Sequence, residues 1–286
     1  MRRTVLDGKG LSKSILQELS SEILSIQQKT QNFSFPKLAY IYMGNNQSVL
    51  SYLSIKHRAC ESLGIQAQGF YFPENTDKNI IKQTISLLNA EKTINGILVQ
   101  LPLCGGIDEQ EIIDSVIVSK DVDGLHSMNI SKLAIRGQIP EYFPCTPMGC
   151  IEILGRNGIS IQGKHAVVLG RSTLAGMSLA LMLQKHNATV TICHSMTENL
   201  FFHTQQADIL VVAIGKPGFI TSEMVKPGVI IIDIGITKVD GQLKGDVQDE
   251  VKEKSSFFTP VPGGVGPMTV AMLMKNLVKA WQRSLN

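Results

Sequence analysis

Tyr52 and Lys56 stand four residues apart in the stretch SVLSYLSIKHRACESLG, residues 48–64, so on a helix both side chains project from one flank. Around them Val49, Leu53, Ala59, Cys60 and Leu63 recur at the three-and-four spacing of a face that packs on a core. Lys56 occupies the turn between Leu53 and Cys60, where this pattern calls for another apolar residue. One account is a long aliphatic stem that carries its ammonium out to water. The other is proton transfer, because a desolvated lysine has its pKa lowered towards neutrality and can then exchange protons.

Three other places have side chains suited to chemistry. Gln100 ends the apolar run Gly96-Ile97-Leu98-Val99 and precedes Leu101-Pro102. The carboxyl end of a buried parallel strand is where open α/β sheets bind ligands, and an amide there is placed to hydrogen-bond Lys56; a satisfied strand-end amide is the alternative. Asp121 and Asp123 lie in the loop Lys120-Asp121-Val122-Asp123-Gly124, as functional groups or as solvated turn residues beside glycine. The turn Gly170-Arg171-Ser172-Thr173-Leu174-Ala175-Gly176 joins a strand to a helix, where backbone N–H groups and the helix dipole favour phosphate. It departs from Gly-x-Gly-x-x-Gly at Ser172, and a plain tight turn accounts for it equally well. The next strand ends in Cys193-His194-Ser195 instead of the ribose-binding acid expected for NAD. With Arg171 nearby, that favours NADP over NAD, against the plainer reading of Ser195 as an exposed loop serine.

These groups need elements to hold them. Leu11, Ile15, Leu19 and Ile23 recur every fourth residue in a first helix ending near Gln28, and residues 37–43 are a strand closed by Gly44-Asn45-Asn46 before the Lys56 helix. A strand at 65–72, a helix capped by Asp77 and the strand at 96–99 continue the alternation, as parallel strands buried on both faces, and Asp108 opens a helix through Val118. Pro144-Cys145-Thr146-Pro147 starts a helix with Thr146 as N-cap and Pro147 at the first position. Strands at 166–169, 188–193, 209–212 and 229–232, with a helix at 174–185, then predict a doubly wound, Rossmann-like sheet. The glycine- and proline-dense loop at 259–267 turns the chain so that a last helix, 268–284, returns to the first domain.

The 286 residues suffice for two α/β domains, and 43% hydrophobic with 18% charged residues describes a globular chain. A net charge of +3, without a basic run longer than Arg2-Arg3, supports neither a nucleic-acid footprint nor a membrane-surface patch, so a small-molecule partner is expected. No apolar run of signal-peptide or membrane-spanning length appears, which makes the expected location cytoplasmic. Five cysteines without a Cys-x-x-Cys read as reduced thiols, and no histidine and carboxylate cluster has the spacing of metal ligands.

Ser48-x-x-x-Tyr52-x-x-x-Lys56, the run GILVQLPL at 96–103, Lys120-Asp121-Val122-Asp123-Gly124, Pro144-Cys145-Thr146-Pro147 and the run PVPGGVGPMT at 260–269 together resemble the bifunctional methylenetetrahydrofolate dehydrogenase/cyclohydrolase (FolD-type) family. The likeness spans nearly the whole chain. It implies two α/β domains flanking a cleft: a folate-binding catalytic domain of residues 1–143, completed by the helix at 267–286, and a Rossmann-like NADP-binding domain of residues 144–266. It also implies a homodimer formed through the cofactor domain. The implied chemistry is oxidation of 5,10-methylenetetrahydrofolate with NADP and hydrolysis of the methenyl product to 10-formyltetrahydrofolate, in one-carbon metabolism and purine biosynthesis. By position, Lys56 resembles the proton-handling residue of the hydrolysis, with Tyr52 beside it and Gln100 tuning its charge, while Asp123 resembles the residue that hydrogen-bonds the pterin. Val99, Leu101, Pro262, Gly263, Gly264, Val265 and Gly266 would line the folate site, and Gly170, Arg171, Ser172, Ser195 and Ile236 match the cofactor contacts. Two positions depart from the family pattern, Ser178 and Cys104, each where proline is usual, and Ser178 is expected to loosen the first turn of the cofactor helix.

Overall fold

The computed structural model describes residues 3–29 and 33–285, so Arg2 of the Arg2-Arg3 pair lies outside the described residues. In chain order its elements begin with β1 (Thr4–Val5), α1 (Gly8–Gln27), β2 (Lys37–Met43), α2 (Gln47–Ser62), β3 (Gln66–Phe72), α3 (Lys78–Ala90) and β4 (Gly96–Val99). Three short or mid-length helices follow, α4 (Glu109–Ile113), α5 (Ser127–Ala134) and α6 (Cys145–Arg156). Then come β5 (His165–Leu169), α7 (Gly176–Lys185), β6 (Thr189–Cys193), α8 (Leu200–Gln205), β7 (Ile209–Val212) and β8 (Ile230–Asp233). The hairpin β9 (Thr237–Val239) and β10 (Gln242–Lys244), α9 (Val251–Lys254), β11 (Phe257–Phe258) and α10 (Val265–Ser284) complete the chain.

Two compact units result, one of Lys13–Phe143 with Val270–Asn286, the other of Met1–Ser12 with Pro144–Thr269. The first is built on a parallel three-stranded sheet in the order β3-β2-β4. Ile41, Ile97, Ile81 and Ile85 are fully buried in its core. The edge strand β3 departs from the expected two-sided burial, because Gln66, Gln68 and Tyr71 are exposed along it. The last helix does return to this unit: Asn276 Nδ2 bonds the carbonyls of Val122 at 2.9 Å and Phe143 at 3.0 Å, and buried Trp281 donates to Ser34 O at 2.8 Å.

The second unit carries a six-stranded parallel sheet in the order β1-β11-β8-β7-β5-β6. From β5 the chain runs to β6 on one side and then to β7 on the other, the strand-order reversal of a doubly wound fold. The domain limits read from the sequence shift at both ends. Thr4 and Val5 pair with Phe257 and Phe258, and Lys9 N–H bonds Gly263 O at 2.8 Å, so the first twelve residues group with the second unit. A two-residue strand carries no periodicity to read. Local ends shift too. Pro144, not Thr146, caps α6, since the Thr146 hydroxyl shares a 3.0 Å hydrogen bond with that of Thr269. The helix opened by Asp108 stops at Ile113, because the Asp114 carboxylate is held by the N–H and hydroxyl of Ser127.

Two acids that no sequence pattern singled out lie buried at the end of β8. Asp233, 4% exposed, accepts from Asp246 N and Val247 N, both at 3.1 Å, while Thr259 Oγ1 accepts from Asp233 N at 2.8 Å. Burial, reinforced by the neighbouring charge of Asp246, pushes the Asp233 carboxyl up to about 7 from 3.8. The native state therefore holds this proton where the unfolded chain has released it, and the stability so gained is complete below pH 3.8 and lost as pH rises through about 7. Asp233→Asn, which does not titrate, should gain on the native sequence by on the order of 2 kcal/mol between pH 5 and pH 8 in urea unfolding. A pH-independent difference between the two would refute this.

Candidate active site

β2 is followed by Gly44, at φ 71°, where an ideal Cβ would come within 2.9 Å of Cys104 Sγ. Asn46 then caps α2, its side-chain oxygen accepting from Ser48 N at 2.9 Å and Val49 N at 3.4 Å. This start sets the rotation of the helix. Val49, Leu53, Ala59 and Cys60 are buried as their spacing requires, and so is Lys56, 6% exposed. Its Nζ donates to Gln100 Oε1 at 2.8 Å and lies 5.2 Å from the centroid of the Tyr52 ring.

Gln100 cannot turn away easily. Its backbone N–H bonds Ile41 O at 2.8 Å, extending the β2–β4 pairing by one residue, and its Nε2 donates to Leu101 O at 2.7 Å. With the amide nitrogen committed to a carbonyl, the oxygen must face the lysine. A primary amine donates to that oxygen in either protonation state, so the contact holds Lys56 in place while its proton count changes. One turn further, burial pushes the Cys60 thiol up to about 12, so it stays protonated, 3.7 Å from Met274 Sδ.

The loop after residue 120 divides its labour. Lys120 Nζ donates to three carbonyls at the end of α3, those of Leu88, Asn89 and Glu91, at 2.9, 2.8 and 2.7 Å. Asp121, 4% exposed, accepts from Gly124 N, Leu125 N, His126 N and Asn129 Nδ2 at 2.8–3.3 Å, and burial raises its pKa. Both residues hold the loop closed. Asp123 is half-buried and takes no part in the hydrogen bonds that hold Asp121.

In the other unit Gly170, at φ 113°, would place a Cβ 2.3 Å from Ala213 O, and Gly176 would place one 2.2 Å from Gly170 O. The first turn of α7 therefore rests against the turn that precedes it, and no side chain caps the helix. Arg171, Ser172 and Ser195 are exposed beyond β5 and β6, and Ile236, 44% exposed, lies beyond β8, all at the carboxyl edge of one sheet. A backbone cradle without Cβ atoms, an uncapped helix start and an exposed arginine fit a phosphate-bearing dinucleotide. Ser178 does not loosen the turn as expected: it is fully buried, and its hydroxyl donates to Thr173 O, closing the turn that proline would have stiffened.

The structure thus brings Tyr52, Lys56 and Gln100 together, with Val99 buried and Leu101 half-buried on the strand end that carries Gln100. The loop Pro262 to Gly266 belongs to the other unit. There Val265 and Gly264 are buried, Pro262 is exposed, and Gly263 and Gly266 are partly so. Asp233 and Asp246 escaped the sequence reading; an acid closing the apolar run Ile230-Ile231-Ile232 was the available signal.

Residues 6–123 match the family model for the tetrahydrofolate dehydrogenase/cyclohydrolase catalytic domain, and residues 144–285 match that for its NAD(P)-binding domain. The chain is 45% identical over 282 residues to the bifunctional protein FolD of Acetivibrio thermocellus, spanning 98% of this chain and 97% of that one. Among solved structures, the bifunctional FolD dehydrogenase/cyclohydrolase of Campylobacter jejuni is similar with a TM-score of 0.93 at 41% identity, over 99% of each chain. The FolD of Trypanosoma brucei, solved with NADP cofactor and an inhibitor, is similar with a TM-score of 0.95 at 35% identity, over the whole of both chains.

The contact between Gly176 and Gly170 can be tested directly. Gly176→Ala should lower stability by about 1–3 kcal/mol, the cost of an overpacked site, in denaturant unfolding, whereas Gly155→Ala, with open space around it, should not.

Proposed function

Because the chain belongs to the tetrahydrofolate dehydrogenase/cyclohydrolase family, we propose that it oxidises 5,10-methylenetetrahydrofolate to the 5,10-methenyl form with NADP and hydrolyses that product to 10-formyltetrahydrofolate, in one-carbon metabolism. The observation that carries the second step is the buried hydrogen bond between Lys56 and Gln100. The unit with the six-stranded sheet takes the cofactor, and the unit with the three-stranded sheet performs the hydrolysis.

When bound, NADP supplies the acceptor for a hydride leaving the one-carbon unit. That transfer passes from carbon to carbon and asks the protein for placement rather than for an acid or base. Gly170 and Gly176 let the turn and the uncapped start of α7 pack close together, where the helix N-terminus meets phosphate, and Arg171 with Ser195 select the additional phosphate that separates NADP from NAD. Hydrolysis asks for more. Water adding to the methenyl carbon must lose a proton, and the nitrogen that departs as the ring opens must gain one. Lys56 as a neutral amine takes the first and as an ammonium returns the second, with Gln100 fixing its direction and Tyr52 walling its flank. Asp123 bonds the pterin and Val99 and Leu101 contact it.

The finer readings rest on the family resemblance: a cytoplasmic homodimer whose formyl product serves purine biosynthesis. No helix among the described residues is long and apolar enough to cross a membrane.

With methylenetetrahydrofolate and NADP present, NADPH and methenyl absorbance are followed together. The native chain should form NADPH without lasting methenyl accumulation. Lys56→Ala should lower hydrolysis of added methenyltetrahydrofolate by about 10²–10⁴-fold, the range for loss of a general acid–base group. Full hydrolysis by that variant would remove Lys56 from the mechanism. Arg171→Ala should raise the KM for NADP far more than that for NAD, and equal losses would refute the phosphate assignment.

A further inference from the structure

Asp246 has no part in the chemistry above, yet it is fully buried and holds backbone on several sides. Its Oδ2 accepts from Ile214 N at 2.8 Å and Gly215 N at 2.9 Å, on the segment that leaves β7. On its other side lies Gly235, two residues beyond β8, where an ideal Cβ would fall 2.1 Å from Asp246 Cγ and 2.2 and 2.3 Å from the carboxylate oxygens. The N–H of Asp246 donates in turn to Asp233 Oδ1 at 3.1 Å. Asp246 Oδ1 is buried with no hydrogen-bond partner, a cost that an apolar residue of similar size would not carry.

Both segments leave the carboxyl edge of the six-stranded sheet, the edge that also carries Gly170 and Ser195. Gly235 is followed directly by Ile236, which is exposed there. We propose that Asp246 is a positioning residue for the dinucleotide: its carboxylate sets the spacing between the segment after β7 and the segment after β8, and so presents Ile236 to the cofactor. This rests on the NADP reading above. Asp246 acts through two accepted N–H bonds and through its flat shape against Gly235. An amide keeps both properties, and a methyl group keeps neither. The spacer does not touch the phosphate that separates NADP from NAD, so its loss weakens both cofactors by one factor.

The test uses the full chain with Asp246→Ala and Asp246→Asn. NADP and NAD KM values are measured with saturating methylenetetrahydrofolate, and hydrolysis of added methenyltetrahydrofolate is measured without cofactor. Asp246→Ala is expected to raise both cofactor KM values at least tenfold, by similar factors, and well beyond any change in the hydrolysis rate. Asp246→Asn is expected to recover most of that loss. A KM within twofold of native in Asp246→Ala overturns the proposal. So does an equal fall of both activities that Asp246→Asn fails to rescue, which marks a residue needed only for folding. If Asp246→Ala does not fold, Gly235→Ala crowds the same carboxylate from the other side. It should raise both KM values, and native values there overturn the proposal equally. A native chain that forms no NADPH at all would instead defeat the dehydrogenase reading.

Discussion

The hydrogen bond from Lys56 to Gln100 depends on how α2, β2 and β4 are set relative to one another. It needs the Asn46 cap to set the rotation of α2, the β2–β4 register to bring Gln100 beside Ile41, and the Leu101 carbonyl to turn the amide. Removing a charged amine from water costs several kcal/mol, and a hydrogen bond to a charged group contributes only about 1.5–3 kcal/mol. Packing alone would favour an apolar residue here. The lysine is a local conflict inside a face that is otherwise consistent, and such conflicts concentrate where a protein does chemistry.

The second unit solves a different problem. There the recurring device is a close approach with no room for a Cβ, of backbone to backbone at Gly170 against Ala213 and Gly176 against Gly170, and of backbone to a carboxylate at Gly235 against Asp246. Side chains appear where a turn must be tied, as Ser178 does with its hydroxyl. One unit thus buries a lysine against an amide, and the other presents turns at a sheet edge.

Legibility in the sequence followed the range of the interaction. The apolar face of α2 and the misplaced Lys56 could be read because their spacing is local, and β2 emerged with both ends as expected. Asp121 and Asp123 looked alike in one five-residue motif; what separates them is Asn129 and the turn through His126, which only the folded loop brings to Asp121. The Thr146 hydroxyl is claimed by Thr269, 123 residues away, and no rule of helix starts could anticipate that. Asp246 meets Ile214 across 32 residues, and its neighbours in sequence say nothing of it.

The pairing of Thr4 and Val5 with Phe257 and Phe258 also bears on how the molecule is made. A ribosome releases the earlier strand long before its partner, because roughly 250 residues of chain separate them, and pairings of such long range are slow to form. Until then the strand at 4–5 has no sheet to join, and the close fit of Gly8 against Gly264 cannot form. The six-stranded sheet can therefore assemble in part around β5, β6, β7 and β8 but gains β11, and β1 beyond it, only after residues 257–258 have been made. The nascent chain must carry β1 unpaired until then.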